Sequence, residues 1–329
     1  MRVKILFIGG TGNISTDCAK LLHQQGHEIT VVTRGQSQVP AAYSIVKADR
    51  KVLSTMRAAL AGREVDVVIN FLGYEVADMA LDYELFHNCV RQYIFISTAT
   101  VYAKPPLQLP IAEASPLGNP FWEYAQKKLQ CEEWLLARPE WPATIVRPSH
   151  TYSKRWVPNV VSSSGYTLAA RFETGAPVFV PDNGQNPWTL TATSDFAVGL
   201  AGLVGNEQAI GEAFHITGDE MLTWNQIYAE TAAAVGGPAP QIEKIPTDFI
   251  CKHAPSLIGT LKGDKAHPGV FDNSKIKRCA PEFRTRKHFA EGIRESIAWM
   301  RTHPEDRKIN AQADAIFDRV CAAWRIAKT

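Results

Sequence analysis

Nothing in this 329-residue chain approaches the ~20 consecutive apolar residues that a membrane-spanning helix requires, so no membrane anchor is expected. A first strand begins at Val3, which leaves no room for a secretory leader. Cysteine is sparse: Cys18, Cys89, Cys131, Cys251, Cys279 and Cys321 lie far apart, with no paired spacing. That pattern argues against a zinc module and a disulfide framework, and it predicts reduced thiols in a cytoplasmic protein. His215, His253, His267 and His288 show no metal spacing either, so no metal is expected. Charge of one sign is also missing. With 35 basic and 33 acidic residues the net charge is +2, which offers no field for nucleic acid or an acidic membrane. The densest basic clusters, Lys275 to Arg278 and Arg284 to His288, read as solvated faces. Repeats and low-complexity tracts are absent.

What is present is an alternation of short apolar runs with helical stretches. Val3–Ile8, His27–Thr33, Ser44–Ala48, Val65–Phe71, Tyr93–Ser97 and Ala143–Arg147 read as buried strands, with helices between most of them. Alternation at these lengths predicts an α/β protein with a doubly wound parallel sheet, whose ligands bind beyond the carboxyl ends of the strands. Residues 1–150 are expected to form a dinucleotide-binding domain to which 191–217 return, with a strand at Ala213–Thr217. Residues 151–190 and 218–329 are expected to form a smaller mixed cap and the closing helices. Within that cap, Trp156–Asn183 reads as a helix with flanking loops. Ser194 or Asp195 reads as a helix cap, and a helix opens at Thr223-Trp224-Asn225-Gln226 and stops at Gly236-Gly237-Pro238. From Gln241 the pattern is irregular. Two last helices follow, Phe289–Thr302 on the outside and one from about Ile309.

Two stretches carry chemistry. Directly after the first strand comes Gly9-Gly10-Thr11-Gly12-Asn13-Ile14-Ser15, opening a helix to Gln25. A glycine turn between strand and helix lets backbone amides approach a pyrophosphate at the helix N-terminus. Past the second strand, where an acid would hold a ribose 2′-hydroxyl, stand Thr33 and Arg34. A guanidinium suits a 2′-phosphate, so NADP is favoured over NAD. The second stretch is the helix from Glu123 to Leu135. On it Tyr124 and Lys128 lie one turn apart on one face, where an ammonium favours the phenolate and prepares the tyrosine for proton transfer.

Gly9-x-x-Gly12, Asp49, Ser97-Thr98-Ala99-Thr100-Val101-Tyr102, Tyr124-x-x-x-Lys128 and Arg147-Pro148 occur in that order. Together they resemble the extended short-chain dehydrogenase/reductases, the NAD-dependent epimerase/dehydratase group that includes UDP-galactose 4-epimerase. In its short segment between strands four and five, and in Val32-Thr33-Arg34-Gly35, the chain looks more like atypical members related to chloroplast stem-loop-binding proteins. The resemblance implies Tyr124 as acid/base, Lys128 as its tuner and ribose ligand, and Thr98 as the hydroxyl that orients the substrate oxygen. It implies cofactor contacts from Gly9, Thr11, Gly12, Asn13 and Ile14, from Arg34, Asp49 and Arg50, and from the strand ends at Phe71, Leu72, Ser97 and Pro148. Thr100, His150 and Arg171 are candidate substrate contacts. Ala99-Thr100 stand where sugar dehydratases carry an Asp-Glu pair, which disfavours dehydration. The expected function is an NAD(P)-dependent epimerase or oxidoreductase acting on a secondary alcohol or ketone of a nucleotide-linked sugar. A homodimer is usual for the family. The alternative is a non-catalytic binder of dinucleotide or RNA, against which stand the intact Thr98/Tyr124/Lys128 set and the near-neutral charge.

Overall fold

The structure, a computed structural model, describes residues 2–36, 38–162 and 165–329. The amino-terminal half runs β1 (Lys4–Ile8), α1 (Asn13–Gln24), β2 (Glu28–Thr33), β3 (Ser44–Lys47), α2 (Leu53–Leu60) and β4 (Val67–Asn70). It continues with α3 (Val76–Phe86), β5 (Gln92–Ile96), α4 (Glu123–Leu136) and β6 (Ala143–Pro148). Beyond it come β7 (His150–Tyr152), α5 (Thr167–Thr174), β8 (Val178–Pro181), β9 (Pro187–Ala192), α6 (Thr193–Leu203) and β10 (Ala213–Ile216). Then follow β11 (Met221–Thr223), α7 (Trp224–Val235), β12 (Ile242–Ile245), α8 (Thr247–His253), the short turn α9 (Ile258–Thr260), α10 (Ser274–Cys279), α11 (Phe289–Thr302) and α12 (Ala311–Ala327).

Seven strands form one all-parallel sheet in the order β10-β6-β5-β4-β1-β2-β3. Successive strands step outward one way from β1 and then the other way from β4, so a crevice opens between the two at their carboxyl ends. Both faces are covered, as the continuous burial of β4 and β5 requires. On one side Cys18, Ala19 and Leu22 of α1 pack with Phe196, Leu200 and Leu203 of α6. On the other, Met56, Met79, Phe86, Cys131, Leu135 and Trp141 form the second layer.

The catalytic-helix candidate α4 is fastened to the sheet by charge. Glu132, fully buried, takes a bidentate hydrogen-bonded pair from Arg147 on β6, at 2.6 Å for the shortest contact. Arg147 also donates to the Tyr102 hydroxyl. Tyr124, Lys128 and Glu132 are thus successive turns of one inward face.

The cap has its own core, in which Phe172, Phe179, Trp224, Tyr228, Ile293 and Phe317 meet. A three-stranded sheet, β11-β9-β7, and a parallel pair, β12-β8, frame it. Thr223 caps α7, with Gln226 closing the reciprocal bond, and Gly236 ends the helix in the left-handed conformation.

Several expectations are corrected. Within Trp156–Asn183 the helix is α5, which Gly175 in the left-handed conformation stops at Thr174, but the segment after it is the strand β8 and not a loop. Asp195 lies inside α6 and accepts from the amides of Arg286 and Lys287, while the cap position belongs to Ala192. The stretch after Gln241 contains a strand and several short helices. Helix α11 is built into the cap, burying Phe289, Ile293, Ile297 and Met300. All six cysteines are free. Among the described residues no helix is long and apolar enough to cross a membrane.

Removing one partner of a buried ion pair strands the other charge and costs about 3–5 kcal/mol. Glu132→Gln is therefore expected to lower unfolding stability by about that amount in denaturant titrations. The double variant Glu132→Gln/Arg147→Met should lose less than the sum of the two single changes. Additive losses would mean that the pair does not tie α4 to β6.

Candidate active site

The turn after β1 is built for close approach. Gly9 has φ +88°, and a Cβ there would stand 2.6 Å from Leu72 Cγ. Ser15, in place of a third glycine, stitches the turn: its hydroxyl donates to Gly9 O at 2.6 Å and accepts from Gly12 N at 2.8 Å. No side chain caps α1, so its first-turn amides remain open to an anion. Thr11, Gly12 and Asn13 line a cavity of about 590 Å³, and Ile14 lines a second one of about 290 Å³. Buried and without a hydrogen-bond partner stand Asn13 Nδ2 and Ser97 Oγ. A dinucleotide laid across this crevice would give both a partner, so the residues fit such a cofactor.

Arg34 is exposed just beyond β2. The parallel register sets Thr33 opposite Lys47, and a Cβ on Gly35 would lie 3.0 Å from Lys47 Cε. Lys47, which sequence reasoning passed over, therefore joins Arg34 at the strand edge; the signal was a lone cation in β3, legible only once the β2–β3 register is known. Asp49 is exposed, its carboxylate accepting from Lys51 N. Arg50 is a correction. Its guanidinium turns inward, pairing with Asp78 at 3.0 Å and Asp82 at 3.2 Å, and donates to Leu72 O. It supports the cleft from beneath and does not open onto it. The same buried network holds Asn70, which bonds Asp82 and Tyr93 and accepts from Leu72 N. Phe71 stacks on Phe7, and Leu72 stays exposed beside Gly9.

Thr98, Thr100 and Tyr124 line the smaller cavity together with Ser97, Pro148 and His150. Thr98 and Thr100 hydroxyls are 3.0 Å apart, and the Thr98 hydroxyl accepts from Thr100 N. Lys128 lies beneath, buried, its ammonium donating to Gly73 O and Ile96 O at 2.7 Å each. Burial brings that ammonium down to about 8.

The expected effect of Lys128 on Tyr124 is not what the protein shows. Burial pushes the Tyr124 phenol up, with Tyr74 and Asp264 adding to the rise, and only a hydrogen bond with Thr98 opposes it. The Lys128 ammonium sits 6.0 Å from the ring centroid and spends its bonds on two carbonyls. Desolvation outweighs a charge so placed.

His150 is half-buried in the cavity wall, its Nε2 buried and unpartnered, and desolvation holds its ring in the neutral form. Arg171 is the second correction. It is buried, paired with Asp314 and Asp318 of α12 and donating to Pro177 O, so it joins cap elements and lines neither of these two cavities. Sequence reasoning also passed over Trp122, Trp156, Trp188, Asp264 and Lys265, which complete the smaller cavity from distant parts of the chain.

The sequence profile of the NAD dependent epimerase/dehydratase family matches residues 5–216. The chain belongs to that family. As a family member it is an enzyme of the extended short-chain dehydrogenase/reductase type, working with a nicotinamide dinucleotide. It is 26% identical over 295 residues to a 2′-dehydrokanamycin reductase of Streptomyces kanamyceticus, which covers 86% of this chain and 81% of the relative. To the chloroplast stem-loop binding protein of 41 kDa b of Arabidopsis thaliana it is 30% identical, over 73% of this chain and 65% of that protein. A UDP-glucose 4-epimerase from Bifidobacterium longum, solved with NAD+ and UDP, shares the fold at TM-score 0.72 and 18% identity, covering 92% of this chain and 99% of that one.

Lys128 gives a check by pH. Its ammonium titrates near 8 when folded, below the ordinary 10.5, so the unfolded chain binds more protons between those values. Stability linked to this group therefore rises as pH increases from about 8 toward 10.5 and is absent below. The difference in unfolding free energy between wild type and Lys128→Met should shift in favour of the wild type across that window. A difference that stays flat would mean an ordinary lysine pKa.

Proposed function

We propose that this enzyme uses NADP(H) to interconvert a secondary alcohol and a ketone on the ring of a sugar, with a nucleotide-linked sugar as the substrate class. The observation that carries the reading is the meeting of Tyr124 and Thr98 in one cavity at the carboxyl edge of the sheet, with Lys128 directly beneath. When bound, the dinucleotide supplies or accepts hydride. Thr98 orients the substrate oxygen by a hydrogen bond, and Tyr124 holds the proton that this oxygen gains or loses. Burial keeps the phenol in its protonated form, the form that donates to a ketone oxygen as hydride arrives. Trp122, Trp156, Trp188 and Phe271 give the cavity apolar walls.

Arg34 and Lys47 together support a 2′-phosphate and hence NADP over NAD. The larger cavity, which holds the Thr11–Asn13 turn, also has Lys20, Lys154 and Lys308 on its wall, which suits the phosphates of the dinucleotide, while Arg155 and Lys287 there are paired with Asp306 and Glu295. The similar reductase of Streptomyces kanamyceticus, named for its 2′-dehydrokanamycin substrate, is in keeping with a reductive direction. The net charge of +2 gives RNA binding no comparable support.

Tyr124→Phe is expected to remove turnover with ketone substrates and to leave NADPH binding within about threefold, since general acid–base catalysis alone contributes ~100-fold or more. Wild-type turnover in that variant would sink the assignment. Separately, Arg34→Ala and Lys47→Ala should each weaken NADPH binding by roughly tenfold, as loss of a charge-assisted hydrogen bond does, with NADH affinity unchanged. Equal loss for both cofactors would remove the 2′-phosphate reading.

A further inference from the structure

The smaller cavity has a cap-side wall whose architecture the chemistry above leaves unexplained. Leu261–Lys265 forms a π-helical turn, a rare geometry that recurs at functional sites. Two of its carbonyls are pinned by side chains, Asn119 Nδ2 donating to Gly263 O at 2.6 Å and Trp224 Nε1 to Lys265 O at 2.9 Å, and Asn186 donates to Ala266 O just beyond it. Close packing holds it against the start of α4. A Cβ on Gly259 or Gly263 would fall 2.5 Å or 2.9 Å from atoms of Trp122, two residues before Tyr124.

The turn delivers Asp264 and Lys265 to the cavity that Thr98, Thr100 and Tyr124 line from the sheet. Lys265 is committed elsewhere, donating to Asn159 O at 2.9 Å. Asp264 keeps 15% of its side chain exposed and stands 3.7 Å from the buried Lys104 ammonium. Its charge is felt at the Tyr124 phenol, and burial pulls the Asp264 carboxyl above its ordinary range, with Lys104 and Lys265 opposing that rise only in part. Desolvating three charges costs several kcal/mol per ion, and hydride transfer asks for none of them.

We propose that Asp264 is a specificity-determining residue, whose carboxylate accepts a hydrogen bond from a donor group on the substrate ring, opposite the carbon that exchanges hydride. This inference rests on reading that cavity as the substrate site. An ammonium and a hydroxyl are both donors of the required kind, and an ammonium gains more from a charged acceptor. The π-turn is then the device that sets the carboxylate at a fixed height above Tyr124.

The test uses the NADPH-saturated protein and two probes, glucosamine and glucose, titrated at slightly acidic pH while tryptophan emission is followed. Trp122, Trp156 and Trp188 report occupation of the cavity. Glucosamine should bind wild type more tightly than glucose. Asp264→Asn should weaken glucosamine by roughly ten- to hundredfold, the range for a hydrogen bond to a charged group, with NADPH affinity unaltered. Glucose alone binding, and weakened by Asp264→Asn, would support the proposal with a hydroxyl as the donor. Lys104→Arg is the control for a merely structural disturbance of the ion pair: it keeps a cation beside the carboxylate, so it should keep the probe preference. An Asp264→Asn protein with wild-type preference, loss of preference in Lys104→Arg alone, or no response to either sugar overturns the proposal. Failure of the wild type to bind NADPH would instead remove the functional reading on which it rests.

Discussion

The site depends on where one ammonium group is held. Lys128 leaves α4 and donates to Gly73 O, shortly past the end of β4, and to Ile96 O, on the last residue of β5. Those two segments bound the crevice on the side where Tyr124 and Thr98 stand. A lysine bridging both therefore fixes the height and rotation of α4 over the sheet. One turn further along, Glu132 takes Arg147 from β6, so the helix is anchored to a third strand. Phenol, ammonium and carboxylate are spaced four residues apart, and two of the three are spent on anchoring. What remains free at the cleft is the phenol.

The opposite wall shows the same economy. Ser15 does with hydrogen bonds what a third glycine would do by absence, holding the turn closed against Gly9 and Gly12. Arg50, Asp78, Asp82, Asn70 and Tyr93 form a buried polar set beneath Leu72, which shapes the cleft without entering it. Buried networks of this kind hold a single arrangement because leaving any member unpaired is costly. The smaller cavity is lined from the sheet by Ser97, Thr98, Thr100 and Pro148 and from the other side by Trp188, Asp264 and Lys265, so its walls come from different layers.

The parallel sheet was legible because its strands are short apolar runs separated by helices, and the Gly9–Ser15 turn and the Tyr124/Lys128 pair were legible because each depends on local spacing. Arg50 and Arg171 were misplaced for a common reason. An arginine near a site in sequence gives no sign of acids that reach it from α3 or from α12, more than 140 residues away for Asp314 and Asp318. Lys47 became visible only through the β2–β3 register. Asp264 and the three tryptophans come from distant segments, and the π-turn that presents Asp264 has no periodic signature. The direction of the Tyr124 shift was missed because spacing shows that a charge is near, whereas burial, which outweighs it, appears only in the folded protein.

The most direct test is an ultraviolet difference titration of cofactor-free wild type against Tyr124→Phe, which isolates the ionisation of this one phenol. The account requires a phenol that stays protonated well above the ordinary tyrosine range, with no phenolate signal from Tyr124 near neutral pH. A phenolate appearing between neutrality and the ordinary range would show that Lys128 outweighs burial, and it would contradict the site electrostatics described above.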